Sequence, residues 1–370
     1  MRRSSVCVSL VLALLVACGG DDDGDDDAGS DGAGDDGDAD ASTSAGPDAG
    51  AGGDGDAGVA CARDILAGLD LGAPDRMIAD DASLYVAAYT EEEHRLWRIR
   101  REDGEAERIA TFAEIHRAAS LASDADSLYF SGVVLPEATP VPPENGLFRV
   151  PKDGAGPPEP ISTDTADGLA VDETHIYWLT RDSILGFAIK RRAKSGGKEE
   201  LLVQGDESGL GPHMALLGEH VYWDEGIELR RVPTTGGPGE LFGYLDPEGP
   251  PGSCSTCLNE LVAGEDGRLY WFETTSEATL FHRTGPDVFE PELLVTDGLY
   301  SAISVPFFVF DGQLYWSSPD AGIRRAPAAG GDSVRVKDRN APAFVPTSAG
   351  LYTVNWLDVV RLMPLEGCPE

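Results

Sequence analysis

The sequence predicts an all-β fold, because a short marker recurs at near-constant spacing and short strand patterns surround every copy of it. The marker is Leu, Ile or Val followed by Tyr, and in four copies Trp comes next. Its tyrosines are Tyr85, Tyr129, Tyr177, Tyr222, Tyr270, Tyr315 and Tyr352. Successive tyrosines are 44, 48, 45, 48, 45 and 37 residues apart. A period of this length indicates a repeat architecture.

Each marker has the same neighbours. An apolar run and a turn rich in Asp, Gly or Ser precede it, as in residues 169–174 (LAVDET). A basic alternating stretch follows, as in residues 229–233 (LRRVP), and then a Gly-rich turn and a last apolar strand. Four short strands per unit without helical periodicity predict a β-propeller blade. We therefore expect seven blades of four antiparallel strands, with six as the alternative if the Pro-rich unit 121–163 is incomplete.

The two ends of the repeat region predict how the ring closes. The last marker is followed by a third-strand pattern at 359–364 (VVRLMP), and no fourth strand comes after it. Residues 64–69 (DILAGL) precede the first unit and have the pattern of an unpaired fourth strand. Pairing this N-terminal strand with the last blade would remove the free edge of the ring. The Tyr and Trp rings are expected to fill the wedges between blades.

One unit carries a family resemblance. Residues 171–180 (VDETHIYWLT) are similar to YWTD-type units of the YWTD/NHL/TolB-like propellers. The resemblance extends over residues 62–368 and implies the propeller fold without implying an activity. Other units depart from the pattern, since Asp224-Glu225 follows Trp223 and Ser317-Ser318 follows Trp316.

The N-terminus predicts export. Arg2 and Arg3 precede an apolar stretch at 6–16, which is the organisation of a secretory signal. Residues 15–18 (LVAC) resemble the bacterial lipobox, so residues 1–17 are interpreted as a lipoprotein signal peptide and Cys18 as the lipidation site. With the propeller, this resembles repeat lipoproteins of the myxobacterial type. The alternative is an ordinary signal peptide.

Lipidation of Cys18 would attach the protein to a membrane of the cell envelope. Gly19, rather than Asp, follows Cys18. By analogy with enterobacterial sorting, this favours the outer membrane.

Residues 18–60 are predicted to be a disordered tether and residues 61–370 the propeller domain. The tether holds 14 Asp and no Lys, Arg or Glu, and such a composition cannot bury enough apolar surface to fold. The net charge of the chain is -37, which argues against a nucleic-acid partner. The charge is interpreted as a soluble, self-repelling surface of a monomer; an acidic site for a cation or a basic partner is the alternative.

The cysteines outside the signal peptide and lipobox predict two disulfides. Cys61 lies just before the N-terminal strand and Cys368 just after the last blade, so ring closure would bring them together. Cys254 and Cys257 form a C-x-x-C in a loop rich in Pro and Gly. A loop-stapling disulfide is favoured there over a redox pair or half of a zinc site, because neither a βαβ unit nor a second C-x-x-C is present.

No catalytic, cofactor-binding or metal-binding residues are predicted, because no known catalytic motif appears. The six histidines are His94, His116, His175, His213, His220 and His282. His175, His213 and His220 lie near inner strands where they could face the central channel, although a packed or surface histidine is the favoured interpretation.

The expected function is a binding scaffold rather than an enzyme. A protein or small-molecule ligand would bind at the propeller loops, with the long inserts at 135–145 and 244–258 as candidates. The alternatives are a propeller lyase or hydrolase with a site in the channel and a structural component of envelope assembly.

Overall fold

The structure, a computed structural model, describes residues 63–66, 70–90, 93–113, 117–133, 146–182, 186–205, 213–245, 257–275, 278–298, 306–318, 322–337, 341, 343–354 and 360–364. The chain divides into two units, Met1–Gly55 and Asp56–Glu370, and all described residues lie in the second. They form 28 strands in seven four-stranded antiparallel sheets. No helix occurs among them, and so none that could cross a membrane.

Each sheet is one blade, and in blades 1 to 6 the strands run in chain order from the innermost to the outermost. Blades 1 to 3 comprise β2 (Ala73–Ala79), β3 (Ser83–Tyr89), β4 (Glu93–Arg100), β5 (Ala106–Ala113); β6 (Arg117–Ser123), β7 (Ser127–Val133), β8 (Gly146–Pro151), β9 (Glu159–Ser162); and β10 (Gly168–Val171), β11 (His175–Asp182), β12 (Gly186–Ala193), β13 (Glu200–Gly205). Blades 4 and 5 comprise β14 (Met214–Leu217), β15 (His220–Glu225), β16 (Glu228–Pro233), β17 (Glu240–Tyr244); and β18 (Cys257–Ala263), β19 (Leu269–Thr274), β20 (Thr279–Thr284), β21 (Glu292–Asp297). Blade 6 comprises β22 (Phe307–Phe310), β23 (Gln313–Ser318), β24 (Gly322–Pro327), β25 (Val334–Lys337), and blade 7 comprises β26 (Ala343–Thr347), β27 (Gly350–Val354), β28 (Val360–Met363) with β1 (Arg63–Leu66) as its outer strand.

The blades form a closed ring of seven. Consecutive innermost strands contact one another from β2 to β26, and β26 contacts β2. The prediction of seven blades is therefore confirmed, and the six-blade alternative is wrong. The second unit makes a complete blade in spite of its Pro-rich insert, because β6 to β9 pair in order.

The predicted closure by the N-terminal strand is also confirmed. Arg63 and Asp64 of β1 pair with Leu362 and Arg361 of β28. The Nε atom of Arg361 lies 2.7 Å from Oδ1 of Asp64, an ion pair between the first strand of the chain and the last. Since β1 fills the place of the missing fourth strand, blade 7 leaves no free edge inside the ring.

The marker residues lie on the second strand of each blade and build the core. The marker Tyr and Trp side chains are no more than 3 % exposed in any blade. In four blades the tyrosine hydroxyl also donates a hydrogen bond to an aspartate in the turn before it; the pairs are Tyr85–Asp80, Tyr129–Asp124, Tyr177–Asp172 and Tyr270–Asp266. The buried ring and the satisfied hydroxyl together explain why the repeat uses Tyr and an acidic turn.

The basic residues of the third strand connect neighbouring blades. In five blades an arginine beside the marker tyrosine donates to a backbone carbonyl in the next blade and pairs with a glutamate on its own fourth strand. The arginines are Arg98, Arg149, Arg191, Arg231 and Arg283, with Glu107, Glu159, Glu200, Glu240 and Glu292 as their partners. We call this contact the interblade latch.

Candidate functional site

Charged side chains gather at one end of the central channel. In blades 3 and 4 the innermost strand begins where the second strand ends, since Gly168 pairs with Leu179 and Met214 pairs with Trp223. His213 and Asp224 stand just outside the pair in blade 4, whereas in blade 3 Asp167 precedes Gly168 and Arg181 lies two residues after Leu179. Antiparallel pairing thus brings together residues from two strands of each blade.

Two further charged residues follow β-bulges in innermost strands. The register of β2 shifts between Pro74 and Arg76, and that of β18 shifts between Leu258 and Glu260. A bulge inserts one residue without a cross-strand partner, bends the strand and re-aims the next side chain. Both bulges lie near the beginning of their strands, at the same end of the channel as His213.

His213 and Asp224 form a closely coupled pair. The backbone N–H of His213 donates to Oδ1 of Asp224, and Nδ1 of the imidazole lies 3.3 Å from the same oxygen. Burial works to lower the pKa of His213, but the hydrogen bond and charge of Asp224, together with the charge of Glu260, outweigh it and raise that pKa. The negative charge of Asp224 beside Nδ1 favours the protonated form of the imidazole.

Asp167 and Arg181 form a second pair beside the first. Nε of Arg181 lies 3.1 Å from Oδ2 of Asp167. Burial raises the pKa of Asp167, and the positive charges of Arg181 and His213 offset this only in part. The Asp167 side chain is 33 % exposed, so water can reach its carboxylate.

Glu260 differs from the other carboxylates of the cluster. Among the described residues its carboxylate makes no hydrogen bond and no ion pair within 4.0 Å. Burial raises its pKa; the charges of His213 and Arg76 act against this, and Asp224 adds to it. Arg76 belongs to blade 1 and Glu260 to blade 5, which are not neighbours in a ring of seven. Their charges therefore act on each other across the channel.

We call Arg76, Asp167, Arg181, His213, Asp224 and Glu260 the channel cluster. The cluster contains the imidazole of His213 and the guanidinium groups of Arg76 and Arg181. It also contains the carboxylate of Glu260, which has no ion-pair partner within 4.0 Å among the described residues. Among the described residues no group of three or more His, Cys, Asp or Glu side chains is placed to hold a metal ion. The charged side chains of the cluster offer hydrogen bonds and ion pairs.

The long inserts leave the ring at this same end. In every blade the second and fourth strands end where the first and third begin. The segment 135–145 lies outside the described residues, but the strands that flank it end at Val133 and begin at Gly146. The second insert runs between the strands that end at Tyr244 and begin at Cys257, and its middle is also outside the described residues. The strands that flank both inserts therefore end and begin at the channel end that carries His213.

The structure describes few of the cysteines that the sequence predicts as site residues. Cys18, Cys61, Cys254 and Cys368 lie outside the described residues, and Cys257 opens β18 without a described side chain. The lipidation site and both disulfides stay predictions.

The histidines divide by environment. His175 and His220 begin second strands and so lie at the channel end opposite His213. His94 is fully buried, His282 stacks on Trp271 and His116 lies outside the described residues. Of the three histidines that the sequence places near inner strands, only His213 belongs to the channel cluster.

The sequence prediction missed Arg76, Asp167, Arg181, Asp224 and Glu260 as site residues. One signal was present, because Asp224 stands two residues after a marker tyrosine where three other blades have Leu179, Phe272 and Ser317. The other units show that the fold does not need a charge at this position. A buried charge that breaks the repeat is therefore a signal of a functional residue.

Comparisons with known proteins agree on the fold alone. No protein-family model matches this chain, and the comparison with curated proteins gives no match. An oligogalacturonate lyase in complex with manganese matches with a TM-score of 0.57 and 10 % identity, covering 77 % of this chain and 86 % of that one. The extracellular domain of a candidate one component system from B. thetaiotaomicron matches with a TM-score of 0.57 and 11 % identity, covering 83 % of this chain and 42 % of that one. The computationally designed Ika8 protein matches with a TM-score of 0.50 and 9 % identity, covering 80 % of this chain and 97 % of that one.

Proposed function

We propose that this chain is a lipid-anchored binding protein of the cell envelope, whose propeller takes a small-molecule ligand at the channel end that carries the channel cluster. The observation that supports the ligand site is the convergence of charged side chains from blades 1, 3, 4 and 5 on a water-accessible channel. Enclosing charges in protein costs free energy. Raised pKa values on Asp167, His213 and Glu260 mark a functional-site candidate on physical grounds.

The ligand site can be tested without knowledge of the natural ligand. A ligand-observed NMR screen of charged and neutral fragments would be run against the wild type, His213→Gln and Glu265→Gln. Glu265 is an exposed residue in the turn after β18, at the other end of the channel, so it serves as the control. We expect fragments that bind the wild type and the control and are lost with His213→Gln. Binding that is unchanged in His213→Gln, or no binding to the wild type, would contradict the proposal.

The anchor is supported by the signal-like residues 1–17 and the lipobox-like LVAC that ends at Cys18. Intact-mass measurement of protein extracted from membranes tests it, before and after reduction with alkylation. The expected mass begins at Cys18 and includes acyl chains, and it reports two disulfides, Cys61–Cys368 and Cys254–Cys257. An unlipidated protein with four free thiols would contradict both the anchor and the disulfides.

A second candidate function is acid–base catalysis, and the pair formed by His213 and Asp224 favours it. An imidazole held by a buried carboxylate can accept a proton at its other nitrogen. Turnover of p-nitrophenyl acetate is one measure of such activity. The catalytic proposal expects a loss of about 100-fold in both His213→Gln and Asp224→Asn. Equal turnover in the wild type and both variants would exclude this pair as the source.

A further inference from the structure

One end of the ring carries exposed apolar side chains on four consecutive blades. They lie at the beginning of the fourth strand in blades 3 to 6, or in the turn just before it, and they are Leu201, Leu241, Val288, Leu293 and Val334. Each is between 42 % and 59 % exposed. Because fourth strands begin where first strands end, these residues lie at the end of the ring opposite His213. We call them the apolar arc.

The boundaries between these four blades lack a positive charge that neighbouring boundaries carry. The carbonyl that accepts the latch hydrogen bond marks one position of the repeat, and in blades 2 and 3 this position holds a lysine. Lys152 lies 2.8 Å from Asp80 of blade 1, and Lys194 lies 2.6 Å from Asp124 of blade 2. In blades 4, 5 and 6 the same position holds an uncharged residue; the three are Thr234, Pro286 and Ala328.

Acidic side chains in the same sector have no cation beside them. Glu173, Glu219 and Asp311 lie in the turns between the first and second strands of blades 3, 4 and 6, and all three are exposed. Among the described residues they make no ion pair within 4.0 Å. These turns belong to the inner strands, whereas the apolar arc belongs to the outer ones. The sector therefore has an apolar rim and a negative inner side.

We propose that the apolar arc and the acidic turns of blades 3 to 6 form a docking surface for a protein partner that presents apolar side chains beside Lys or Arg. Contact with such a partner would remove the exposed apolar side chains from water. Its cations would pair with carboxylates that have no partner in the chain itself. The surface lies at the opposite end of the channel from the channel cluster, so it is separate from the proposed ligand site.

Charge argues against a second copy of the chain and against an anionic membrane as the occupant. The chain has a net charge of -37. In a symmetric dimer each acidic surface would face its own copy, because a two-fold axis pairs the same patch of both subunits. Anionic lipids would be repelled for the same reason. A basic protein surface is complementary to the acidic turns.

Strand edges argue against the hydrocarbon of any bilayer. The fourth strands of blades 3 to 6 are the outermost strands of their sheets. One edge of each strand has backbone N–H and C=O groups that no strand of its own sheet pairs. Hydrocarbon cannot satisfy such groups, whereas water or the backbone of a protein partner can.

The test measures the binding of three fluorescently labelled peptides to the full chain by anisotropy. The probe alternates Lys and Val, so as an extended strand it presents charge on one face and apolar side chains on the other. One control peptide has Ser in place of every Val, and the other has Glu in place of every Lys. The Lys–Ser peptide keeps the charge of the probe, so it reports non-specific attraction to the acidic chain, including the 14 Asp of residues 18–60.

Two matched pairs of variants locate the binding. Leu241→Ser removes an apolar side chain of the arc, and Pro160→Ser removes an exposed one at the equivalent strand position of blade 2. Glu219→Gln removes a charge from the inner turn of blade 4, and Glu102→Gln removes one from an exposed turn of blade 1 at the same end of the ring. Urea unfolding establishes that every variant is folded.

We expect the Lys–Val peptide to bind the wild type, Pro160→Ser and Glu102→Gln with equal affinity. Leu241→Ser should weaken binding by about fivefold or more, because a buried apolar contact is lost. Glu219→Gln should weaken it by about twofold, since an exposed ion pair contributes less. No binding to the wild type, equally tight binding of the Lys–Ser peptide, or equal affinity in Leu241→Ser would overturn the proposal.

The other occupants are tested with the wild type and Leu241→Ser. Sedimentation measures self-association, and phosphatidylcholine vesicles measure membrane binding. The N-terminus is the same in both proteins, so a difference between them reports on the apolar arc. We expect both proteins to be monomeric and to bind vesicles equally. A wild-type dimer, or vesicle binding, that is weakened in Leu241→Ser would overturn the proposal and assign the arc to that occupant.

Discussion

Arg101 of blade 1 donates a hydrogen bond to Thr347 of blade 7, across a separation of 246 residues, with Nη2 3.2 Å from Oγ1. Its Nε also donates to the hydroxyl of Tyr352, the last marker tyrosine, at 3.2 Å. The same kind of contact joins earlier blades, where Lys152 reaches Asp80 at 2.8 Å. The closing pair of blades therefore uses the kind of contact that also joins blades 1 and 2.

Ring closure should depend on the absence of a side chain at Gly104. This residue has a φ of 76°, and an added Cβ would overlap the carbonyl oxygen of Ile65 in β1. Gly104→Ala should lower the free energy of unfolding by about 2 kcal/mol or more, because strain in the left-handed region adds to displacement of the closing strand. Urea unfolding measures this loss.

Gly218→Ala is the matched control for ring closure. Gly218 has a φ of 58° and open space around an added Cβ, so only the backbone strain of about 1 kcal/mol should appear. Equal losses in the two variants would mean that the approach of Gly104 to Ile65 does not hold the ring closed. Hydrogen exchange at β1 should accelerate in Gly104→Ala alone.

The interblade latch should depend more on its carbonyl contact than on its ion pair. Nη1 of Arg283 lies 2.6 Å from the carbonyl oxygen of Ala328 in blade 6, and its Nε lies 2.8 Å from Glu292. The Arg283 side chain is 15 % exposed and that of Glu292 is 52 % exposed. Arg283→Ala should cost about 2 kcal/mol, and Glu292→Ala less than about 1 kcal/mol, because exposed ion pairs contribute little. Thermal or urea unfolding of both variants checks the order, and a reversed order would contradict it.

Acid should destabilise the fold through His94. This side chain is fully buried in blade 1, and burial lowers its pKa from 6.5 to about 4. Below pH 6.5 the unfolded chain takes up a proton that the folded chain excludes, so the free energy of unfolding falls as the pH decreases towards 4. The loss from His94 between pH 7 and pH 5 is about 2 kcal/mol.

Replacement of His94 by leucine isolates this contribution. His94→Leu should lose about 2 kcal/mol less than the wild type when urea unfolding at pH 7 and pH 5 is compared. An identical pH dependence in the two proteins would show that His94 is not the group that resists protonation.

The pKa of His213 should respond to its aspartate. Asp224→Asn keeps the shape of the side chain and removes the charge that raises the pKa of His213. Because burial alone lowers the pKa of an imidazole, the variant should place it below that of the wild type. Nitrogen-detected NMR titration measures the change, and Asp287→Asn, an exposed residue of blade 5, is the control that should leave it unaltered. An unchanged His213 titration in Asp224→Asn would contradict the pairing.

The architecture could be predicted from the sequence because it depends on local patterns. The tyrosine of each unit needs a buried position on the second strand, and in four units it also needs an aspartate in the preceding turn, as for Tyr177 and Asp172. Both requirements lie within six consecutive residues, so they repeat visibly along the chain. The basic third strand was also visible, but its role in the latch between blades was not, since Arg283 contacts a carbonyl 45 residues away.

The candidate site could not be predicted in the same way. Arg76 and Glu260 are far apart in the sequence, and the influence of one charge on the other depends on ring closure, which brings blades 1 and 5 around one axis. The sequence predicts that His213 could face the channel, but only the pairing of β14 with β15 shows its aspartate partner. Bulges leave little trace in a sequence, because any residue can be the one inserted.

The sequence by itself determined the repeat, the number of blades and the strand that closes the ring, because antiparallel pairing inside a blade is set by neighbouring residues and short turns. The tertiary structure decided which charges meet in the channel. Ring closure brings strands from distant parts of the chain to one axis, and enclosure by protein then raises the free energy of a charge such as that of Glu260. That balance of burial and pairing depends on distances between blades, which no local pattern encodes.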